Sequence, residues 1–170
     1  MISDKLQNAI NEQIVKEYFS ANLYLNMASY FSQLGLLGFE HWMRIQYDEE
    51  KIHMMKFFNY VLDRGGKAEI GALAKPATDW ESILAVCEAV YTHEQFISNS
   101  INELMTLAIE LKDYAATSFL QWYVDEQVEE EDNTSRILSQ VKLIGDDKSA
   151  LFMLDKELST RPAPIPLPAR

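Results

Sequence analysis

Residues 65–79, GGKAEIGALAKPATD, form the longest stretch of the chain that carries no helical pattern. Fully extended, these 15 residues would span about 50 Å, whereas a helix of about 27 residues is about 40 Å long. A loop of this length is uncommon inside a compact domain unless it has a purpose. Here it can run the length of a helical bundle, which would place the helices before and after it parallel to each other.

Helix-breaking residues are confined to a few places, and the intervals between them predict long helices. Glycine and proline fall at Gly35, Gly38, 65–76, Gly145 and after Arg161. The intervals before the loop predict α1 near 4–33 and α2 near 38–64. After Gly145, a short α5 is expected near 147–158.

The interval 77–144 contains no breaker, but a single helix of that length would be about 100 Å long, too long for one compact domain. Asp113 is a suitable N-cap and divides the interval into α3 near 80–111 and α4 near 114–142. The sequence Thr78-Asp79-Trp80-Glu81 has the spacing of a capping box, which predicts the start of α3.

The predicted fold is all-α. Short connections make α1 with α2, and α3 with α4, antiparallel hairpins, and the long loop is the single crossover of a four-helix bundle that also carries α5 as a short fifth helix. One domain covers 1–158. Residues 159–170 form a tail that cannot be helical because of its prolines, Pro162, Pro164, Pro166 and Pro168.

Composition limits the classes of function. The chain has 170 residues, 48% of them apolar, enough for one domain with a substantial core. Its net charge of −11 leaves no basic stripe for nucleic acid or an anionic membrane, and makes metal cations more plausible partners. The lone Cys87 excludes an intrachain disulfide and fits a reducing compartment. We expect no signal peptide or membrane span, and a cytoplasmic location.

Each long helix carries one glutamate on its apolar, inward face. The apolar stripes follow i, i+3, i+4 and i+7 spacing, and each is interrupted near its midpoint. Residues at the midpoints of bundled helices meet at one height, whichever direction each helix runs. The inward glutamates are Glu17, Glu50, Glu94 and Glu130.

Four buried carboxylates need compensation, because burial and like-charge repulsion both disfavour their ionised forms. Protonation could supply this compensation, but two divalent cations would do so better, because they balance all four negative charges. Glu50 and His53 lie at i, i+3 on one helical face, within reach of one ion, and Glu50 is placed to bridge two. Oxygen ligands with one imidazole suit iron or manganese.

Further acidic residues lie beside this pair. Glu126 and Glu129 lie beside the proposed site on α4, and Glu49 lies next to Glu50 on α2. An acidic run of this kind is ordinarily a solvated face. A third, weaker cation position formed by these residues is therefore a hypothesis.

Three segments are the most specific in the chain: EEKIH (49–53), FLQWYVDEQVEEE (119–131) and DKELS (155–159). With them the chain resembles the bacterial non-haem ferritins, iron-storage proteins with a ferroxidase centre, over nearly all of its length through Ser159. The resemblance implies a hollow shell of 24 subunits, with α5 at the four-fold axes. It also implies an enzyme that oxidises Fe(II) with O2 or H2O2 and stores hydrated ferric oxide.

The resemblance further implies a ligand set. One iron would take Glu17, Glu50 and His53, and the second would take Glu50, Glu94 and Glu130, with Gln127 alongside. A third iron would take Glu49, Glu126 and Glu129, with Glu130 as a further candidate. Tyr24 matches the family's tyrosine beside the diiron centre, although spacing alone also fits an ordinary core residue. Haem is not expected, because Ile52 stands where bacterioferritins carry their haem-ligating methionine.

Three other functions remain open at this point. A diiron oxygenase or peroxidase of the same fold would turn over without forming mineral. A shell protein without oxidase activity would bind no pair of metals at the bundle centre. A plain helical interaction bundle would be a small monomer.

Overall fold

The computed structural model describes residues 1–166, and the last four residues, including Pro168 of the predicted tail, lie outside this range. Within the described residues the chain forms five helices and no strand, as predicted for the all-α class. None of these helices is both long and apolar enough to cross a membrane. The helices are α1 (Asp4–Gln33), α2 (Leu37–Asp63), α3 (Ile83–Glu110), α4 (Tyr114–Ile144) and α5 (Lys148–Leu158).

The predicted N-cap is confirmed for α4, whereas the predicted start of α3 needs a correction. Asp113 caps α4 as predicted, its Oδ1 accepting from the Ala116 N–H at 3.0 Å. The capping box predicted at Thr78 is wrong, because α3 begins at Ile83 and Ser82 is its cap. The Ser82 hydroxyl oxygen accepts from the Ala85 N–H at 3.0 Å, whereas the Thr78 hydroxyl donates to Asp79 at 2.8 Å and caps no helix.

The start of α2 is capped from a distant part of the chain. Its N-cap residue, Leu36, has no side chain that can accept a hydrogen bond. Instead, Asp155 of α5 accepts from the backbone N–H groups of Gly38 at 2.9 Å and Phe39 at 3.0 Å. A Cβ atom at Gly38 would lie 1.6 Å from the Asp155 carbonyl oxygen. The close approach of α5 to α2 therefore requires glycine at this position.

The segment between α2 and α3 is the predicted crossover and runs along α1. The Asn11 side chain donates to the Lys67 carbonyl at 3.0 Å and accepts from the Glu69 N–H at 3.2 Å. Near the other end of α1, Asn26 donates to the Ala77 carbonyl at 3.0 Å. These contacts carry the chain from one end of the bundle to the other.

Two apolar clusters fill the bundle, one at each end. The first includes Leu6 of α1, Phe57 of α2, Ile101 of α3 and Leu120 of α4. The second includes the opposite ends of the same helices, with Phe31, Phe39, Val86 and Ile137. The carboxyl-terminal halves of α2 and α3 share one cluster, so these two helices are parallel, as a single crossover between them requires.

Between the clusters lies a belt of buried polar side chains, which we call the polar layer. The polar layer lies about halfway along each of the four long helices. The buried face of each helix is therefore apolar toward both ends and polar in the middle. Its members are Gln13, Glu17, Ser20, Gln46, Glu50, His53, Glu94, Ser98, Ser100, Gln127, Glu130 and Thr134.

Candidate metal centre

The polar layer contains all four glutamates that interrupt the apolar stripes. Glu17, Glu50, Glu94 and Glu130 come from four different helices, and none is more than 4% exposed. A fully buried carboxylate is costly unless it is paired, hydrogen-bonded or protonated. Four of them in one layer therefore form a strong candidate for a cation site.

Glu17, Glu50 and His53 form the most compact part of the layer. Each offers one ligand atom, and these atoms all lie within 4.8 Å of one another. The Nδ1 atom of His53 lies 3.5 Å from Oε2 of Glu50, one helical turn earlier. Two carboxylates and an imidazole at this spacing can share one metal ion.

The orientation of His53 is set by two aromatic neighbours. The edges of Trp122 and Tyr123 lie against its ring, with centroids 5.5 and 6.0 Å away. The Tyr123 hydroxyl also donates to the His53 carbonyl oxygen at 2.8 Å. These contacts restrict the space around the imidazole and hold the backbone that carries it.

Two carboxylate oxygens in this group have no hydrogen-bond partner among the described residues. They are Oε2 of Glu17 and Oε2 of Glu50, and both are inaccessible to solvent. A buried acceptor without a donor costs about 1–3 kcal/mol, and more when it is charged. The donor set therefore fits a cation, which would supply the missing partner for both oxygens.

Glu94, Gln127 and Glu130 form the other side of the layer. Gln127 donates through Nε2 to Oε2 of Glu94 at 3.2 Å, and Tyr24 donates its hydroxyl to the other oxygen of Glu94. Glu130 accepts from the Gln46 side chain at 3.0 Å. Glu130 is also near enough to Glu94 and Glu50 to raise the pKa of both. The structure thus brings together all six residues that the resemblance implies as diiron ligands, with Tyr24 beside them.

The electrostatics of the layer favour protons in the absence of a metal. Burial, reinforced by the neighbouring Glu50, raises the pKa of Glu17 well above its usual value. Burial and the charge of Glu94 do the same to Glu50, and burial with the charge of Glu130 raises the pKa of Glu94 to about 8. Cations entering the layer would therefore replace protons as well as pair with carboxylates.

A supporting chain of hydrogen bonds, not foreseen from the sequence, reaches Glu17 from the surface. Gln13 donates to Oε1 of Glu17 at 2.8 Å, Ser100 donates to Gln13 at 2.6 Å, and Lys16 donates to Ser100 at 2.5 Å. The only sequence signal for this chain of hydrogen bonds was Gln13, which lies one helical turn before Glu17 on the same buried face of α1. These bonds hold one oxygen of Glu17 and leave the other free.

The residues of the hypothetical third site lie at the edge of the layer and are less buried. Glu49 and Glu126 are half-buried, and Glu129 is exposed. Burial raises the pKa of Glu49 to about 7, with Glu126 and Glu130 contributing in the same direction. Glu49 also forms an ion pair with Arg161 at 2.8 Å, which the sequence analysis did not anticipate.

Comparisons with known proteins agree with this architecture. A family model described as "Ferritin-like domain" matches residues 7–144. A "Bacterial non-heme ferritin" of Bacteroides fragilis (strain 638R) is 42% identical over 161 residues, covering 95% of this chain and 100% of the relative. A "Probable bacterial non-heme ferritin-like protein" of Haemophilus influenzae is 40% identical over 158 residues, covering 93% of this chain and 96% of the relative.

Solved structures are similar over the same range. The "novel open pore ferritin" of the hyperthermophilic archaeon Archaeoglobus fulgidus is 50% identical, with a TM-score of 0.93 over 95% of this chain and 100% of that one. A structure described as "Humanized Archaeal ferritin" is also 50% identical, with a TM-score of 0.96 over 97% of this chain.

Proposed function

The chain belongs to the ferritin family, and on this premise we propose that it is a ferroxidase that stores iron. It oxidises pairs of Fe(II) ions in the polar layer and deposits the ferric product inside a shell of 24 copies. The observation that carries the proposal is the cluster of Glu17, Glu50 and His53, whose ligand atoms lie within 4.8 Å of one another, with one buried oxygen of each glutamate accepting no hydrogen bond and two further buried glutamates facing them. Iron is the substrate and cargo here, and no haem takes part.

We assign one Fe(II) to Glu17, Glu50 and His53, and the second to Glu50, Glu94 and Glu130, with Gln127 alongside. Glu50 serves both ions. Two divalent ions match the four carboxylates in charge, so the loaded layer is neutral before oxidation. Anionic oxygen ligands interact more strongly with Fe(III) than with Fe(II), because the Coulomb energy grows with the charge of the ion. The layer thus favours loss of an electron from each iron.

The electrons and protons of the oxidation balance whether the oxidant is O2 or H2O2. Two Fe(II) ions supply two electrons, which with two protons convert O2 to H2O2, or convert H2O2 to two molecules of water. Carboxyl groups whose pKa is raised in the metal-free layer, such as Glu94, release protons as Fe(II) binds. Gln127 is neutral where a second carboxylate or imidazole would hold Fe(III) more firmly. It therefore helps the product leave the site.

The shell is supported by apolar side chains that a single chain leaves exposed near α5. They include Leu143 at the end of α4, with Phe152 and Met153 on α5, which are 89%, 60% and 72% exposed. Assembly of identical copies around α5 would cover such side chains. With its single buried Cys87 and no disulfide among the described residues, the protein fits the reducing cytoplasm.

The test combines assembly and iron oxidation. Light scattering and size-exclusion chromatography give the size of the purified protein, and anaerobic Fe(II) titration followed by a pulse of air gives the initial oxidation rate. Glu50→Ala and His53→Ala should abolish rapid oxidation while the shell still assembles. Glu103→Ala, which changes an exposed glutamate of α3, is the matched control. Undiminished initial rates in both site variants would remove the diiron mechanism.

The same experiment separates the remaining alternatives. Sustained consumption of oxygen without mineral would indicate a diiron oxygenase or peroxidase. An assembled shell that binds no pair of ions would indicate storage without oxidation. A small monomer would exclude a storage shell.

A further inference from the structure

Arg161 reaches back from the end of α5 to the edge of the polar layer. Its side chain is only 22% exposed. The guanidinium donates through one nitrogen to Oε2 of Glu49 at 2.8 Å, and through the other to Oε1 of Gln46. Glu49 and Gln46 lie three residues apart on α2, so they present their side chains to Arg161 from one face of that helix.

The backbone around Arg161 is anchored as well. Its carbonyl oxygen accepts from Nε2 of His41, on the first turns of α2, at 2.8 Å, and its N–H donates to the Leu158 carbonyl at 3.3 Å. Three residues of α2 therefore hold a residue that follows α5. The contact does not depend on one flexible side chain alone.

The Arg161 contacts continue into the metal centre through Gln46. Because the Gln46 side-chain oxygen accepts from Arg161, its nitrogen is turned toward Glu130, to which it donates at 3.0 Å. Glu49 in turn lies close enough to Glu126 and Glu130 for their charges to act on it. A permanent positive charge thus sits among the acidic groups at this edge of the layer.

We propose that Arg161 is a built-in competitor for the third cation, which must displace the guanidinium from Glu49 before it can bind there. The inference rests on the proposed function, since the third position is defined relative to the iron pair. An arginine side chain stays protonated at any pH the protein meets. It therefore remains available to pair with the Glu49 carboxylate when no metal ion is bound there.

The competition makes the third position weaker than the pair and sets an order of filling. Ions entering the layer find Glu17 and Glu50 each with one buried oxygen that accepts no hydrogen bond, whereas an ion approaching Glu49 has to break an existing ion pair. Displacing Arg161 also frees the Gln46 oxygen, so the hydrogen bond from Gln46 to Glu130 is no longer fixed in orientation. The third ion thereby affects a ligand of the pair.

The test is equilibrium binding of Zn(II), which needs no oxidation step, to the metal-free, full-length assembled protein by titration calorimetry. The wild type should bind two ions tightly and a third more weakly. Arg161→Gln should raise the affinity for the third ion about three- to tenfold, the size expected for removal of a partly exposed competing charge. Arg161→Lys keeps the charge but cannot donate to Glu49 and Gln46 from two separate guanidinium nitrogens. Its affinity for the third ion should therefore lie between those of the wild type and Arg161→Gln.

Two further variants make the result specific. Arg136→Gln removes an exposed arginine that lines the same cavity of about 250 Å³ beside Arg161, and should leave all three affinities unchanged. Glu49→Gln combined with Arg161→Gln should lose the third ion and keep the first two. Circular dichroism and chromatography check that each variant folds and assembles.

The inference is overturned if Arg161→Gln leaves the third affinity unchanged or lowers it, or if neither the wild type nor Arg161→Gln binds a third ion. Failure of the proposed function gives a different result, because the wild type would then lack the two tight ions and Glu50→Ala would change nothing. A wild type with two tight ions and no response to Arg161→Gln refutes the competition alone.

Discussion

Asp155 closes the amino-terminal end of α2 by accepting a hydrogen bond from the Gly38 N–H at 2.9 Å, across 117 residues of sequence. This contact, together with the bond from Phe39, supplies the cap that Leu36 cannot. Loss of a helix cap typically costs about 1 kcal/mol. The same carboxylate holds α5 in place, and α5 carries the segment that ends in Arg161.

We predict that Asp155→Ala and Gly38→Ala both release α5 from α2. The first removes the acceptor, and the second puts a Cβ atom 1.6 Å from the Asp155 carbonyl oxygen. Hydrogen exchange at the backbone amides of α5 should accelerate in both variants, and the denaturation midpoint should fall. Lys156→Ala, on the exposed side of α5, is the control. Protection of α5 equal to the wild type in Gly38→Ala would contradict the close packing described here.

The stability of the metal-free protein should decrease as the pH rises. Glu94 has a pKa of about 8 in the fold against 4.5 when free, so the folded state binds its proton more tightly than the unfolded state. Its contribution is complete below pH 4.5 and is lost as the pH rises through about 8. Asp113, whose pKa is lowered by Arg64, acts below this window in the opposite direction, and His93, whose pKa is lowered by burial to about 4, opposes Glu94 up to about pH 6.5.

The measurement is the denaturation midpoint of the metal-free protein, recorded from pH 4.5 to about pH 8 at fixed protein concentration. Glu94→Gln should flatten the profile, because the amide does not titrate. Saturating Zn(II) should reverse the loss at high pH, since an ion binding only the folded state stabilises it. A metal-free midpoint that rises between about pH 6.5 and 8, above the range in which His93 opposes Glu94, would show that the buried carboxyls are not protonated.

Tyr24→Phe should slow iron oxidation without removing the iron pair. The hydroxyl donates to Glu94, and a hydrogen bond to a charged group is worth about 1.5–3 kcal/mol. We expect about a tenfold lower initial rate, a smaller loss than that of Glu94→Gln, with two Zn(II) ions still bound per chain. Tyr30→Phe, which lies outside the polar layer, is the control. Wild-type rates in Tyr24→Phe would leave Tyr24 as an ordinary core residue.

Gln13→Leu should weaken the ion held by Glu17 and His53. Gln13 fixes one oxygen of Glu17 and leaves the other directed to the ion, and loss of such a supporting bond commonly lowers metal affinity about tenfold. Calorimetry with Zn(II) measures the change. Glu12→Gln, exposed on the same turn, should have no effect. An unchanged first affinity in Gln13→Leu would mean that Glu17 is held by packing alone.

The parts of the structure that follow from local pattern were predictable. Glycine and proline positions predicted the helices, and α1 was placed at 4–33, as observed. The four inward glutamates could be found because each interrupts an apolar stripe. The structure explains this signal, because all four side chains are buried: Glu17, Glu50, Glu94 and Glu130. The predicted start of α3 was wrong because Ser82, four residues after Thr78, supplies the capping oxygen, while the Thr78 hydroxyl donates to Asp79.

Contacts between distant segments were not predictable from one sequence. Arg161 lies among prolines beyond the last helix, where no periodicity indicates which way a side chain points. Its partner Glu49 is 112 residues away, and Asp155 reaches α2 across a similar distance. Gln13 lies on a face that the stripe analysis treated as apolar.

The crossover between α2 and α3 divides the metal centre into two halves. The hairpin of α1 and α2 carries Glu17, Glu50 and His53, while the hairpin of α3 and α4 carries Glu94, Gln127 and Glu130. In the proposed assignment the first iron takes all its protein ligands from the α1–α2 hairpin, whereas the second takes Glu50 from that hairpin and Glu94 and Glu130 from the other, so the second iron would act as a reversible cross-link between the two halves of the polypeptide. Loss of the second iron from the layer would therefore weaken the contacts between the hairpins before it affects either hairpin internally.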